Sequence, residues 1–286
     1  EIILRPYQFC NLTEVVIRHD DTRETLLSKV RLAAILGTIQ ATFTKFPYLR
    51  RVWQRNTEEE RLLGVSLTGI YDSKLTCIQG EQLNELLEEL REAARVANAE
   101  FAGILGIPTS AAITCVKPSG TVSQLVDSAS GIHPRHSKYY IRRVRGDKKD
   151  PLTQFLISQG IPNEPCVYKP DQTVVFSFPQ KAPAGITRAD VSPIQHLALW
   201  LTYQRHWCEH KPSITISVKE DEWMEVGAWV WNHFDEMSGV SFLPYSDHVY
   251  KQAPYQDCTK EEYEALEAKM PKNVDWSKLS EYETRD

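Results

Sequence analysis

The sequence predicts an α/β fold built largely on parallel strands, and three of its features carry that prediction. Short β-branched runs alternate with longer segments of helical periodicity along the whole chain. One run, AAITCV at 111–116, is almost wholly apolar, as a strand covered on both faces is. No internal repeat or low-complexity linker breaks the alternation. Periodicity alone leaves open whether the strands form an open sheet or a barrel.

Taken in order, residues 1–10, EIILRPYQFC, are apolar and strand-like, with Pro6 a natural place for a bend. Asp21 and Glu24 in DTRE have the spacing of a capping box. Behind them Leu26, Leu27, Val30 and Ala34 place a helix running to about Phe43. GVSLTGI at 64–70 is a strand. From Glu81 to Leu105, Leu83, Leu86, Leu87, Leu90, Ala94, Ala97 and Phe101 recur at helical spacing. After AAITCV, the segment KPSGTVSQ is a turn opening a short helix. YYIRRV (139–144), TVVFSF (173–178), SITISV (213–218) and GVSFLP (239–244) supply further strands. Ser192 and Pro193 stand as N-cap and first residue of a helix to about His206. Residues 220–234 form another helix, and a polar one follows Thr259.

With 286 residues, 42% hydrophobic and 25% charged, the composition is that of a globular protein able to bury a substantial core, in one large domain or two smaller ones. The formal net charge of -5 removes any general attraction to nucleic acid or an anionic membrane. No run of about 18 apolar residues could span a bilayer, and the first residues lack the basic and apolar regions of a secretory signal. A cytoplasmic protein is expected. There the six cysteines, spread widely without a C-x-x-C, should be mostly reduced, and one that matters is a catalyst rather than a staple.

Two elements invite chemistry. The first is the turn P-S-G-T-V, Pro118 to Val122, between a buried strand and a helix. Gly120 lets a ligand approach the backbone, and the N–H groups of the first helical turn, with the Ser119 and Thr121 hydroxyls, suit an anion. A plain capped helix start reads the same way. The second element is Glu1 with Cys10, a possible general base and a possible reductant. A surface carboxylate and a buried thiol are the ordinary alternative. Nine extended steps span roughly 30 Å, so the two can meet one ligand only if the segment bends, and Pro6 is where it should.

The wider sequence resembles a known family. EIILRPYQFCNLTEVV, EEERLLGVSLTGI (58–70) and SAAITCVKPSGTVSQLVDSASGIHPRHSKYYIRRVRGDKKDP (110–151) are similar to the second half of class II, adenosylcobalamin-dependent ribonucleoside-triphosphate reductases. The resemblance continues through EHKPSITISV (209–218) and GVSFLPYSDHVYKQAPY (239–255). It implies the second half of a ten-stranded α/β barrel with a finger loop at the N-terminus. The barrel part would span residues 1–255, and residues 256–286 would form a C-terminal helix and polar tail.

The same resemblance implies roles. The family's N-P-C-G-E motif puts its Glu on Glu1, the general base that takes the ribose 3′-hydroxyl proton. A reducing cysteine falls on Cys10. The substrate phosphates fall on Ser119, Gly120, Thr121 and Val122, and the odds on the turn then favour phosphate binding. Adenosylcobalamin is the implied cofactor, with no protein-bound metal expected. The radical cysteine, the second reducing cysteine and a closing pair for a thioredoxin-type reductant have no counterpart here. A complementary N-terminal reductase chain is therefore expected as partner, with a ribonucleotide as substrate. A class I-type diphosphate reductase half is disfavoured, because the tandem Tyr139–Tyr140 lies directly after the phosphate turn and reads as a half-buried strand pair. A non-catalytic nucleotide-binding or assembly fragment is the rival from another class; such a fragment would need neither Glu1 nor Cys10.

Other features read plainly. His133 and His136 in HPRH, and His206, Cys208 and His210 in HWCEH, lack a second cluster that would make either a metal site. Arg142, Arg143, Arg145, Lys148 and Lys149 read as a solvated face. Trp223, Trp229 and Trp231 read as packing residues, and Cys77, Cys115, Cys166 and Cys208 as inert thiols.

Overall fold

The computed structural model describes residues 1–183, 186–245 and 250–283. The chain divides into two compact units, one of Glu1–Arg135 with Arg188–Tyr245, the other of His136–Thr187 with Ser246–Asp286. The boundary expected at 255 falls inside the second unit, because Tyr255 opens a strand of that unit's sheet.

The first unit is parallel α/β. Strand β1 (Asn11–Val16) leads into α1 (Arg23–Gln40) and α2 (Arg51–Glu60). Strand β2 (Leu63–Thr68) is followed by the short α3 (Lys74–Cys77) and the long α4 (Glu81–Leu105). Strand β3 (Thr114–Cys115) precedes the one-turn helix α5 (Val122–Leu125). The strands run parallel in the order β1-β2-β3. A parallel bridge from Val116 to Pro212 joins them to β7 (Ile214–Val218), which pairs in parallel with β8 (Val240–Pro244). Five parallel strands thus follow one another. Between them come α7 (Pro193–His206), which enters β7, and α8 (Trp223–Asn232), which links β7 to β8.

Two faces of this arrangement differ in chemistry. Leu63, Val65 and Leu67 of β2 are fully buried, and a Cβ on Gly37 of α1 would touch Leu63 Cδ2 at 3.3 Å, so the odd-numbered residues face the helices. Leu26, Val30 and Ala34 of α1 and Leu83, Leu87, Leu90, Ala94 and Ala97 of α4 complete that core. By the two-residue period of a strand, Gly64 and Ser66 face the opposite side, away from the helices, where both are buried as well.

Local chemistry explains most ends. Ser192 accepts from the Gln195 N–H, the Gln195 side chain accepts from the Ser192 N–H, and Pro193 opens α7 as expected. The capping of α1 differs from expectation by one residue. Thr22 is the N-cap and Thr25 its reciprocal partner, while Asp21 accepts from the Arg18 N–H, the Thr25 hydroxyl and Lys29 instead. Strand β1 and helix α2 had no periodic signal strong enough to read.

The second unit is antiparallel. Strands β4 (Tyr139–Asp147), β5 (Asn163–Pro165), β6 (Thr173–Lys181) and β9 (Tyr255–Asp257) lie in the order β5-β6-β4-β9. Helices α6 (Pro151–Ser158) and α9 (Lys260–Glu267) accompany them. Ile161, Val174 and Phe176 form a small core with Leu156, Phe178, Met270 and Val274. Tyr140 is buried and Tyr139 half-buried, the strand pair expected. The basic run is not simply a solvated face. Arg142, Arg143 and Arg145 donate to the carbonyls of Pro254, Ala253 and Gln252, and Arg142 also stacks over the Tyr255 ring at 4.4 Å. They tie the 252–255 segment to β4.

One ion pair braces the first unit. Arg135 meets Asp72 through Nε–Oδ1 and Nη2–Oδ2, both at 3.0 Å, with both side chains buried, and the Ala129 N–H donates to Asp72 Oδ2 at 2.7 Å. This fork connects the turn after β2 to the loop after α5. Breaking a buried pair from one side costs about 3–5 kcal/mol, since the other charge stays buried. Asp72→Ala should lower stability by about that amount, read from urea unfolding followed by the fluorescence of Trp200 and Trp207. A loss under about 1 kcal/mol would contradict the bracing role.

Candidate active site

On the face away from the helices, the first ten residues form a bent loop and not a strand. The bend comes at Pro6–Tyr7, and Tyr7 takes a left-handed φ of 59°. Asn56 Nδ2 donates to the Pro6 carbonyl at 3.0 Å, Gln8 bonds Glu60, and the Phe9 ring stacks on Trp53. The returning chain ends at Cys10, immediately before β1. At the other end of the loop, the Lys211 N–H donates to the Glu1 carbonyl at 3.0 Å and the Ile3 N–H donates to His210 Nδ1 at 3.3 Å. His210 Nε2 in turn donates to the Leu63 carbonyl at 2.8 Å.

Both ends of the loop meet over Gly64. A Cβ there would lie 2.9 Å from Ile2 Cδ1 and 3.4 Å from Cys10 Sγ, and it would collide with Leu12. Only glycine admits this approach. The loop therefore brings Glu1 and Cys10 into one neighbourhood. Burial pushes the Cys10 thiol up to about 12, and the Glu1 carboxylate adds to the shift. Cys115, paired on the same face, is pushed up by burial and then by Cys10 and Glu1. Cys10 accordingly rests as a neutral thiol. Cys77 and Cys208 are also pushed up by burial, as inert thiols would be.

The turn after β3 lies at the far end of the same strands. Glu14, Ser66 and Cys115 sit level with one another by strand register, four residues beyond Cys10. Four residues of strand span roughly 13 Å. The Ser119–Val122 turn follows Cys115 by a few residues. It is Ser119, and not Gly120, that takes the left-handed φ, at 46°. Ser119 is buried while Gly120 and Thr121 are exposed and Val122 is half-buried; nothing lies within 4 Å of a Cβ built on Gly120. Gly120 thus leaves open room over the turn. The Ser130 hydroxyl donates to the Pro118 and Ser119 carbonyls, and the Ser123 hydroxyl also donates to Ser119. Gly131, with φ 56°, permits the Lys117 carbonyl to pass where a Cβ would stand.

Sequence reasoning missed Glu14 and Ser66, and weighed His133 only as a metal ligand. Glu14 follows Cys10 by four residues, the same face of a strand, but no strand was recognised at 11–16. His133 is half-buried. Its Nδ1 donates to the Ser130 carbonyl at 2.9 Å, and its Nε2 accepts from the Thr215 N–H at 2.9 Å. Its neighbour His196 donates from Nε2 to the Ile132 carbonyl at 2.8 Å, and burial, then His133, brings it down to about 3. Both rings are neutral. They line a recess of about 470 Å³ with Arg188, Ser192, Thr215 and Tyr245.

The histidines of the two suspect motifs have other partners: His136 meets Asp257 at 3.0 Å and His206 meets Glu88 at 2.8 Å. Among the described residues no group of three His, Cys, Asp or Glu could hold a metal ion. Trp231, expected to pack, is 82% exposed, because α8 turns only Val226 fully inward.

The comparisons bear on this geometry directly. No family model matches the chain. It is 33% identical over 283 residues to an adenosylcobalamin-dependent ribonucleoside-triphosphate reductase of Euglena gracilis, covering 96% of this chain and 37% of that protein. It is 31% identical over 298 residues to a probable adenosylcobalamin-dependent ribonucleoside-triphosphate reductase of Dictyostelium discoideum, covering 98% and 37%. The crystal structure of a B12-dependent, class II ribonucleotide reductase superposes with a TM-score of 0.83 at 25% identity, over 98% of this chain and 42% of that one. Over nearly its whole length the chain is similar to a part of these class II, adenosylcobalamin-dependent ribonucleotide reductases. It spans well under half the length of the curated relatives it matches. The α/β expectation and the family resemblance both hold, and the five parallel strands equal half of a ten-stranded barrel in number.

A neutral, desolvated Cys10 has a measurable consequence. Near pH 8, iodoacetamide should modify Cys10 roughly 10³-fold more slowly than an unperturbed thiol, with the rate rising about tenfold per pH unit to beyond pH ~10. Peptide mass spectrometry over time follows the modification. A rate equal to that of a free cysteine peptide would rule out the desolvated setting.

Proposed function

We propose that this chain supplies the reducing and base-bearing half of the active site of an adenosylcobalamin-dependent ribonucleoside-triphosphate reductase. The observation that carries the reading is that Cys10 lies over Gly64 with the Glu1 carboxylate near enough to oppose its thiolate, on the face of the parallel strands away from the helices. The reaction is replacement of the ribose 2′-hydroxyl by hydrogen, yielding a deoxyribonucleotide.

In this reading the substrate lies along the strand face away from the helices, with its ribose at Glu1 and Cys10 and its phosphates at Ser119, Gly120, Thr121 and Val122. The roughly 13 Å between the two levels suits an extended ribose with its phosphates. Glu1 accepts the 3′-hydroxyl proton as general base, and the 2′-hydroxyl leaves as water. Cys10, protonated at rest, can contribute a proton as well as an electron. With a second cysteine it provides two electrons and two protons and ends as a disulfide, which a thioredoxin-type reductant then restores. That second cysteine and the radical-bearing one belong to a complementary N-terminal segment, which also closes the barrel on the five strands described here.

The cofactor fits this site in one respect. The cobalt of adenosylcobalamin is held by its corrin ring, so the lack of a three-residue metal cluster among the described residues is no obstacle. The recess at His133, His196 and Tyr245 has the size of a site for a nucleoside-like group, such as the adenosyl portion. When bound, the cofactor supplies the radical that starts the reaction. No helix among the described residues is long and apolar enough to cross a membrane, and a cytoplasmic site of action is part of the reading.

The reductase assembled with its complementary segment provides the test. Cys10→Ser should abolish multiple turnover while leaving nucleotide affinity within a small factor. Glu1→Gln should lower kcat by about 10²–10⁴-fold. Sustained turnover by Cys10→Ser would refute the reductant role, and nucleotide binding without any turnover in the unaltered assembly would favour a non-catalytic fragment.

A further inference from the structure

Glu14 is a half-buried carboxylate that the proposed chemistry leaves unused. It stands on β1 with its side chain on the face away from the helices, level with Ser66 and Cys115 and between Cys10 and the Ser119 turn. The Lys117 N–H donates to Ser66 Oγ at 2.9 Å, which draws the start of that turn toward Glu14. The Ser119 hydroxyl and the Lys117 charge both lie close enough to favour the ionised carboxylate. Even so, Glu14 Oε1 and Ser119 Oγ are both buried, and their approach to each other falls short of a well-formed hydrogen bond. Ser119 itself is 2% exposed and strained into the left-handed region. Buried polar atoms are nearly always paired, and unpaired ones beside a strained residue mark a place where a ligand completes the set.

We propose that Glu14 sets the charge of the Ser119–Val122 turn and thereby determines how tightly, and in which pH range, that turn holds a phosphate group. The inference rests on the phosphate reading of the turn given above. A phosphate seated there brings a second anion beside the carboxylate. Repulsion is relieved when Glu14 takes up one proton from solvent. The protonated carboxyl then becomes a donor, and its idle oxygen gains a partner in the phosphate. Burial already opposes the charged form more than Ser119 and Lys117 support it, holding this carboxyl above its ordinary range. The titratable groups facing it are Lys117 and Cys115. Arg18 and Lys29 border the same strand but are engaged elsewhere, Arg18 with the Val126 and Asp127 carbonyls and Lys29 with Asp21. Phosphate affinity should therefore rise as pH falls through the Glu14 range, and phosphate binding should carry proton uptake.

Titration calorimetry of the complete reductase with inorganic tripolyphosphate, in buffers of different ionisation heat between about pH 6 and 8.5, tests this. Glu14→Gln should bind the probe roughly tenfold more tightly at the alkaline end, with the advantage shrinking as pH falls. It should also lose the proton uptake seen in the unaltered enzyme at the same pH, a comparison in which the probe's own titration cancels. Equal affinity and equal uptake would overturn the role of Glu14 while leaving the phosphate turn intact. If the probe binds neither form although nucleotide turnover persists, the phosphate reading fails and this inference with it. Should Glu14→Gln not fold, Ser119→Ala serves instead. Removing the hydroxyl that favours the charge should move the uptake to higher pH, and an unmoved range would overturn the proposal.

Discussion

The arrangement on the strand face away from the helices depends on the absence of a side chain at residue 64. Ile2, Cys10 and Leu12 crowd the space a Cβ would need, so the bent N-terminal loop can lie directly on β2. The loop is anchored at both ends: the Lys211 N–H donates to the Glu1 carbonyl, the Ile3 N–H to the His210 ring, and Asn11 stands in register with Leu63. With those contacts made, Cys10 lies against β2 and the Glu1 carboxylate is near enough to oppose its thiolate. The chemistry proposed for the pair is a consequence of close approach and not of any unusual residue.

Burial then decides the protonation states. Cys10, Cys115 and Cys208 are all desolvated, and the nearby Glu1 carboxylate opposes a thiolate at Cys10 and Cys115. Such a setting suits a thiol that gives up hydrogen and suits poorly a thiol that must attack as an anion. His133 and His196 are neutral for the same reason, with their ring protons committed to the Ser130 and Ile132 carbonyls. The polar groups of this face are therefore arranged without free positive charge from histidine. In the proposed reading Lys117 and the backbone of the Ser119 turn receive the anion, with Glu14 opposing them.

The loop that presents the turn is held from behind by the Asp72–Arg135 fork. Asp127 extends the network to a second carboxylate, and Arg18 adds bonds to the Val126 and Asp127 carbonyls. Parallel strands deliver their C-terminal ends to one side, and the buried fork keeps the loop after β3 and the turn after β2 together on that side.

Much of this was legible in the chain. Helix α4 and the start of α7 follow from periodicity and from Ser192–Pro193 alone, because local capping and amphipathic spacing suffice there. The parallel character of the first unit was readable from its apolar strands. The second unit's antiparallel sheet was not, since its short alternating strands resemble the others until their partners are known. Strand β1 and the two-residue β3 owe their conformation to pairing with β2. By itself the sequence determined the fold class, the family likeness and the residue types at Glu1, Cys10 and the Ser119 turn, all of which are local or pattern-based. Only the tertiary structure decided that the loop returns Cys10 over Gly64 within electrostatic reach of Glu1, that the strained residue is Ser119 and not Gly120, and that Glu14 lies beside it. Those facts depend on register between strands far apart in the chain, and no local spacing encodes them.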